Sequence, residues 1–158
     1  MPASHWSAAF SGRRCGFTLV ELVVAVAVIA TLAGIAIPVY STYIEQSNIA
    51  KATGDIAIMQ NRIEKHVLNT GALPASLAVL EEPNFLDPWG RAYEYANYDL
   101  IPPGQRRKDQ FLVPLNSDYD LYSKGKDGQS SPAITASGSQ DDIIRANDGN
   151  YVGLASHY

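Results

Sequence analysis

The sequence has one cysteine in 158 residues, Cys15, so nothing downstream of it can form an intramolecular disulfide. If the rest of the chain is exported, something else must hold its loops. Histidine is nearly as scarce. His5, His66 and His157 lie far apart and lack the spacing of a zinc site. His66 falls near the end of a helical pattern, where an interaction with the helix dipole accounts for it. Basic side chains are outnumbered, 12 Lys and Arg against 16 Asp and Glu, and the net charge of −4 argues against nucleic acid as the main partner. The one basic cluster, Arg106, Arg107 and Lys108, reads as a solvated loop rather than a DNA contact. No internal repeat, Ser/His/Asp set, phosphate-binding loop or paired carboxylate cleft stands out, so the chain reads as a non-enzyme. Its length points to one domain.

What the sequence has in quantity is apolar residues, 46% of the total, many of them between Phe17 and Tyr40. That run has about the length needed to span a bilayer. Arg13 and Arg14 stand on its N-terminal side, while Glu45 and Lys51 follow at a distance. The positive-inside rule therefore keeps the N-terminus in the cytoplasm and sends the rest outward. Inside the run sits one acid, Glu21. A charge at a helix centre costs about 2.5–3.5 kcal/mol on insertion scales, and less near the end. A secretory signal cut after Ala36, or a twin-arginine signal, leaves that acid unexplained. A lipoprotein signal needs its cysteine after the run, and Cys15 precedes it. A plain signal-anchor explains everything except Glu21. A proton relay would need a polar partner, and a single span supplies none.

The helical pattern continues past Tyr40. Ala52, Ile56, Met59, Ile63 and Val67 step by four, three, four and four, which puts one apolar stripe on a single face. Gln60, Asn61, Glu64 and Lys65 take the other side, and Asn69, Gly71 and Pro74 end the pattern. Residues 17–68 therefore predict one helix, about 78 Å long at 1.5 Å per residue. Its first half faces lipid or other apolar helices, and its second half lays a stripe on something globular. Gly34 and Pro38 weaken it, either as a simple kink or as a built-in place to melt.

Beyond Pro74 the character changes to short strands and turns. "DPWG" (87–90) is a turn signature, and "RAYEY" (91–95) alternates, with Tyr93 and Tyr95 on one face. "FLVPL" (111–115) predicts an edge strand, because Pro114 cannot donate to a ladder. "DYDLYS" (118–123) alternates again, with Tyr119 and Leu121 together. From Lys124 to Asp142 the chain is rich in Gly, Ser and Asp, and a tight turn follows at Asp148-Gly149. Trp89 and the tyrosines read as core packing rather than a sugar-binding surface. The expected class is α+β: a long N-terminal helix, its first half transmembrane, packed by its second half on a small antiparallel sheet.

"GFTLVELVVAVAVIATLAGIAIP" (16–38) combines a glycine, a phenylalanine, and a glutamate at the fifth position of an apolar helix. In this it resembles the N-terminus of type IV prepilins. The resemblance implies a leader, residues 1–16, cut between Gly16 and Phe17 by a membrane-bound prepilin peptidase that then methylates the Phe17 amine. It gives Glu21 a role, pairing with that positive amine on a neighbouring subunit as helices bundle into a filament. A buried charge is costly alone and tolerable when paired, so the penalty favours assembly in register. It also favours local melting of the helix near Pro38 within filaments.

"DPWGRAYEY", "DYDLYSKGKDG" and "DDI" narrow the resemblance to the major, G-type pseudopilin of type II secretion systems. That family implies a calcium ion in the loop after the last common strand. Asp127, Asp141 and Asp142 are the matching acids, with carbonyls near Lys124 and Ser139 as further ligands. From composition alone the same stretch reads as a solvated acidic loop. The family further implies a single-pass inner-membrane protein with residues 17–40 in the membrane and filament core and residues 41–158 as a periplasmic pilin-like domain. Its implied partners are a homo-oligomeric filament, other pseudopilins and the inner-membrane assembly platform. The loops from Asn97 to Ser117 and Gly128 to Gln140, and the tail after Asp142, are longer than that pattern. A type IV pilus-like subunit and a monomeric membrane-anchored binding domain are the alternatives to a secretion pseudopilin.

Overall fold

The computed structural model describes residues 16–80 and 86–158. Arg13, Arg14 and Cys15 lie outside the described residues. Contacts divide the chain after Ser41 into two units. One helix, α1 (Leu19–Thr70), supplies the whole of the first described unit beyond Thr18 and runs without a break through Gly34 and Pro38. In the first unit every large hydrophobic side chain from Phe17 to Tyr40 is exposed.

In the second unit α1 shows the stripe that its sequence spacing predicts. Ala52, Ile56, Met59 and Ile63 are buried, one helical face repeating every three or four residues. The helix ends where a left-handed residue is available. Gly71 adopts φ +76°, and its N–H closes on the Val67 carbonyl at 2.8 Å.

The stripe packs on a four-stranded antiparallel sheet, in spatial order β1 (Glu94–Asn97), β2 (Tyr119–Ser123), β3 (Ile143–Ala146) and β4 (Tyr151–Leu154). Register pairs Tyr95 with Leu121, Tyr122 with Ile144, and Ile144 with Gly153. Alternation along the strands then sorts the side chains. Tyr95, Tyr119, Leu121, Ile143, Val152 and Leu154 face α1 and join the helix stripe and Tyr93 in one core. Tyr93 donates its hydroxyl to Asp55 of α1 at 2.9 Å, and Tyr95 donates to the Pro74 carbonyl at 2.9 Å. The tyrosine alternation thus has the role expected of it, packing.

The opposite face of the sheet has its own small core. Ile144, Ala146, Tyr122 and Tyr151 meet Leu115, Ile134 and Ala155, which come from the long loops and the tail. The two loops are stitched together at Lys108, whose N–H donates to Pro132 and whose carbonyl accepts from Ile134, at 2.7 and 3.0 Å. The 97–117 and 128–140 loops and the tail are therefore a second layer on the sheet.

"FLVPL" is not a strand, contrary to expectation. Asp109 folds the backbone locally: its Oδ1 accepts the N–H groups of Phe111 and Val113 at 2.8 and 2.9 Å. Leu112 takes a left-handed φ of +61° between them. With its donors turned inward to one carboxylate, the segment has no ladder to extend, and only a single bridge joins Pro114 to Lys108. The turn between β3 and β4 falls at Asp148-Gly149 as read, with Asn147 and Asp148 also left-handed.

Candidate assembly segment and C-terminal loop

Gly16, Phe17 and Thr18 precede α1 and are exposed. Thr18 caps the helix reciprocally with Glu21. The Glu21 N–H donates to Thr18 Oγ1 at 3.2 Å, while Glu21 Oε2 accepts both the Thr18 N–H and its hydroxyl, at 3.0 and 2.9 Å. The single acid of the apolar run is thus held against the first turn of its own helix, where a negative charge also complements the dipole. This box was legible as T-x-x-E at 18–21. Pro38 lies within α1, and its carbonyl accepts the Ser41 hydroxyl at 2.8 Å. The helix is long and apolar enough to cross a membrane by length and composition.

The loop after β2 begins with a turn that only glycine permits. Gly125 has φ +59°, and a Cβ there would lie 2.1 Å from the Asp141 carbonyl oxygen. The turn's own carbonyls, those of Gly125 and Lys126, accept hydrogen bonds from the two terminal nitrogens of Arg91, at 2.6 and 3.2 Å. Gly128 fits over the same guanidinium, since a Cβ would sit 2.6 Å from Arg91 Cζ. Lys124 pairs with Glu94 at 2.5 Å and Lys126 with Glu45 at 3.6 Å.

The far end of the loop is fixed from the other long loop. Arg107 Nη2 donates to Asp142 Oδ2 at 2.6 Å, and Nη1 donates to Ser130 Oγ at 2.5 Å. Ser130 donates in turn to the same Asp142 oxygen at 2.7 Å. The guanidinium lies over the Tyr122 ring, 4.1 Å from its centroid. Both ends of the ion pair are buried, the side chains 3% and 0% exposed. Burial pushes the Asp142 carboxyl up to about 6, outweighing the opposing pull of Arg107 and Ser130. Arg107 is therefore not solvated, contrary to expectation. Its N–H also donates to Asp120, a second buried acid that Tyr98 and Asn116 satisfy and that burial pushes upward.

Residues 11–37 match a family model described as the prokaryotic N-terminal methylation motif. The chain is 30% identical over 137 residues to the type II secretion system core protein G of Escherichia coli K12, covering 83% of this chain and 90% of that protein. The chain belongs to the type II secretion system core protein G family. The Pseudomonas aeruginosa protein of the same name is 26% identical over 138 residues, covering 74% of this chain and 87% of its own length. A type IV major fimbrial protein, FimA of Dichelobacter nodosus, shares 44% identity over 54 residues, about a third of each chain. No solved structure matches the chain significantly.

The residues that the resemblance assigns to calcium are near one another, and each has one oxygen that already accepts a hydrogen bond. Asp127 Oδ1 accepts the Gln129 N–H at 2.7 Å, and Asp141 Oδ2 accepts the Asp127 N–H at 2.9 Å. The Lys124 carbonyl accepts from Gly128, and the Ser139 carbonyl from Asp142. Asp142 is turned to Arg107. Among the described residues no three His, Cys, Asp or Glu side chains are grouped to hold a metal. Calcium takes about six to eight oxygens. Asp142 Oδ1 is buried without a hydrogen-bond partner. As folded, the set commits one of its three carboxylates to an internal cation, Arg107. Neither Arg91 nor Arg107 stood out in the sequence as a loop anchor. The only signal was cations on segments flanking an acidic, disulfide-free loop.

Proposed function

We propose that this chain is a structural, non-enzymatic subunit of a type II secretion pseudopilus, a filament that helps move folded proteins across the outer membrane. The observation that carries this reading is the uncovered apolar half of α1 with one acid near its start, in a chain matched along its length by core protein G. Sixteen exposed large hydrophobics from Phe17 to Ile44 need an apolar environment, which a bilayer supplies before assembly and neighbouring helices supply after it. In this reading prepilin peptidase cuts the Gly16–Phe17 bond and methylates the Phe17 amine. Residues 17–40 anchor the subunit in the inner membrane, and residues 41–158 stand in the periplasm. Growth of the filament transfers Glu21 from its Thr18 cap to the Phe17 amine of a neighbour, and the helix loosens around Pro38. Other pseudopilins and the inner-membrane platform are the partners at the growing end.

Intact-mass and N-terminal analysis of protein extracted from membranes tests the central step. The mature chain is expected to begin at methylated Phe17. A mature end near Ile37, or an uncut leader, would overturn the filament reading in favour of a plain anchor.

A further inference from the structure

Beyond that role, we infer that Arg91 and Arg107 act as built-in cations that close the 124–142 loop, so that it folds without a bound metal. A loop rich in Gly, Ser and Asp, with no disulfide, needs positive charge and donors to tie its ends, and here two guanidinium groups supply both. Arg91 takes the carbonyls of the entry turn. These oxygens point at one planar fork, which matches them as a single point charge would not. Arg107 takes the carboxylate at the exit, and Ser130 in the middle of the loop donates to the same oxygen. The stack on Tyr122 fixes its plane. Arg107 arrives from the 97–117 segment, so one long loop closes the other through this contact. Every residue expected as a calcium ligand accepts a hydrogen bond within the chain at one of its oxygens, and Asp142, completely buried, already faces a full positive charge at 2.6 Å. A calcium ion that took Asp142 Oδ2 would have to displace a buried guanidinium, leaving it without its ion pair in a site with little access to water.

The test uses the full chain in mild detergent. Wild type, Arg107→Gln and Arg91→Gln are melted with excess calcium chloride and with a calcium chelator, and wild type is titrated calorimetrically with calcium chloride. The expected result is one wild-type melting temperature in both conditions, no binding heat, and both variants melting lower by about 5 °C or more. A wild-type melting temperature that rises by a similar amount in calcium, with one ion bound per chain, would overturn the inference. Variants that melt like wild type would overturn it too, because the arginines would then be spectators. If Arg107→Gln does not fold, the wild-type comparison and Arg91→Gln still decide.

Discussion

Replacing Ile56 by alanine removes three buried carbons from the centre of the helix–sheet core. Ile56 is completely buried and packs among Ala52, Met59, Ile63 and the sheet-facing tyrosines. At about 0.8 kcal/mol per buried methylene the transfer loss is about 2.4 kcal/mol. The cavity left between a helix and a sheet, neither free to collapse, brings the expected cost to about 3–4 kcal/mol. Alanine's better helix propensity returns only a few tenths. For a domain of this size that is a fall in melting temperature of about 10–15 °C. Ile58, two residues on, is 47% exposed, and Ile58→Ala is expected to cost less than about 0.5 kcal/mol. Near-ultraviolet circular dichroism, which follows tyrosine packing, reads both variants in the same detergent as wild type. Equal losses at the two positions would refute the assignment of the buried face, because the helix would then be turned on the sheet by part of a residue step. A loss at Ile56 of under about 1 kcal/mol would refute the cavity estimate.

Glu21→Val is expected to leave membrane levels of the protein unchanged, or slightly raised, and to abolish filaments counted by electron microscopy after overexpression; normal filaments from the variant would show that the acid has no part in assembly. The pH dependence carried by Asp142 follows from its raised pKa. With a folded-state value of about 6 above the usual carboxylate value, the folded form holds the extra proton between them, so this group's contribution to stability rises as pH falls from about 7 towards 4. The melting temperature of wild type minus that of Asp142→Asn is therefore expected to increase on acidification through pH 6, and a difference that shrinks over that range would reverse the sign of the argument.

The half of the fold that rests on periodicity was open to reading from the sequence alone. Ala52, Ile56, Met59 and Ile63 announce their face by spacing, and Tyr119 and Leu121 announce theirs by alternation, because a helix or strand imposes its repeat on every residue. Gly71 marks the helix end for an equally local reason. Segment 111–115 shows where that logic fails. Its residues favour a strand, but Asp109, two residues earlier, captures two of the N–H groups that a strand would need. A single carboxylate outcompeted an apolar pattern.

The site divides along the same line, and for a more general reason. Thr18 and Glu21 are one helical turn apart, so their reciprocal cap is written in four consecutive letters. Arg107 and Asp142 are separated by 35 residues, and Arg91 and Gly125 by 34. Nothing in a run of Arg-Arg-Lys distinguishes a buried cation from a solvated one, since the choice depends on a carboxylate delivered by a different strand. The sheet makes that delivery. Pairing of Tyr122 with Ile144 brings the residues flanking β3 beside β2, and the long loop laid over the far face carries Arg107 to the same place. Asp142 is buried because Ile143 and Ile144 are, one facing the helix and the other facing the second small core. Once the strand is pinned by its two apolar neighbours, the carboxylate preceding it must find a positive partner indoors or be neutralised. Arg107 is the partner that the 97–117 loop supplies, so the loop's path over the sheet and the burial of this carboxylate belong to one explanation.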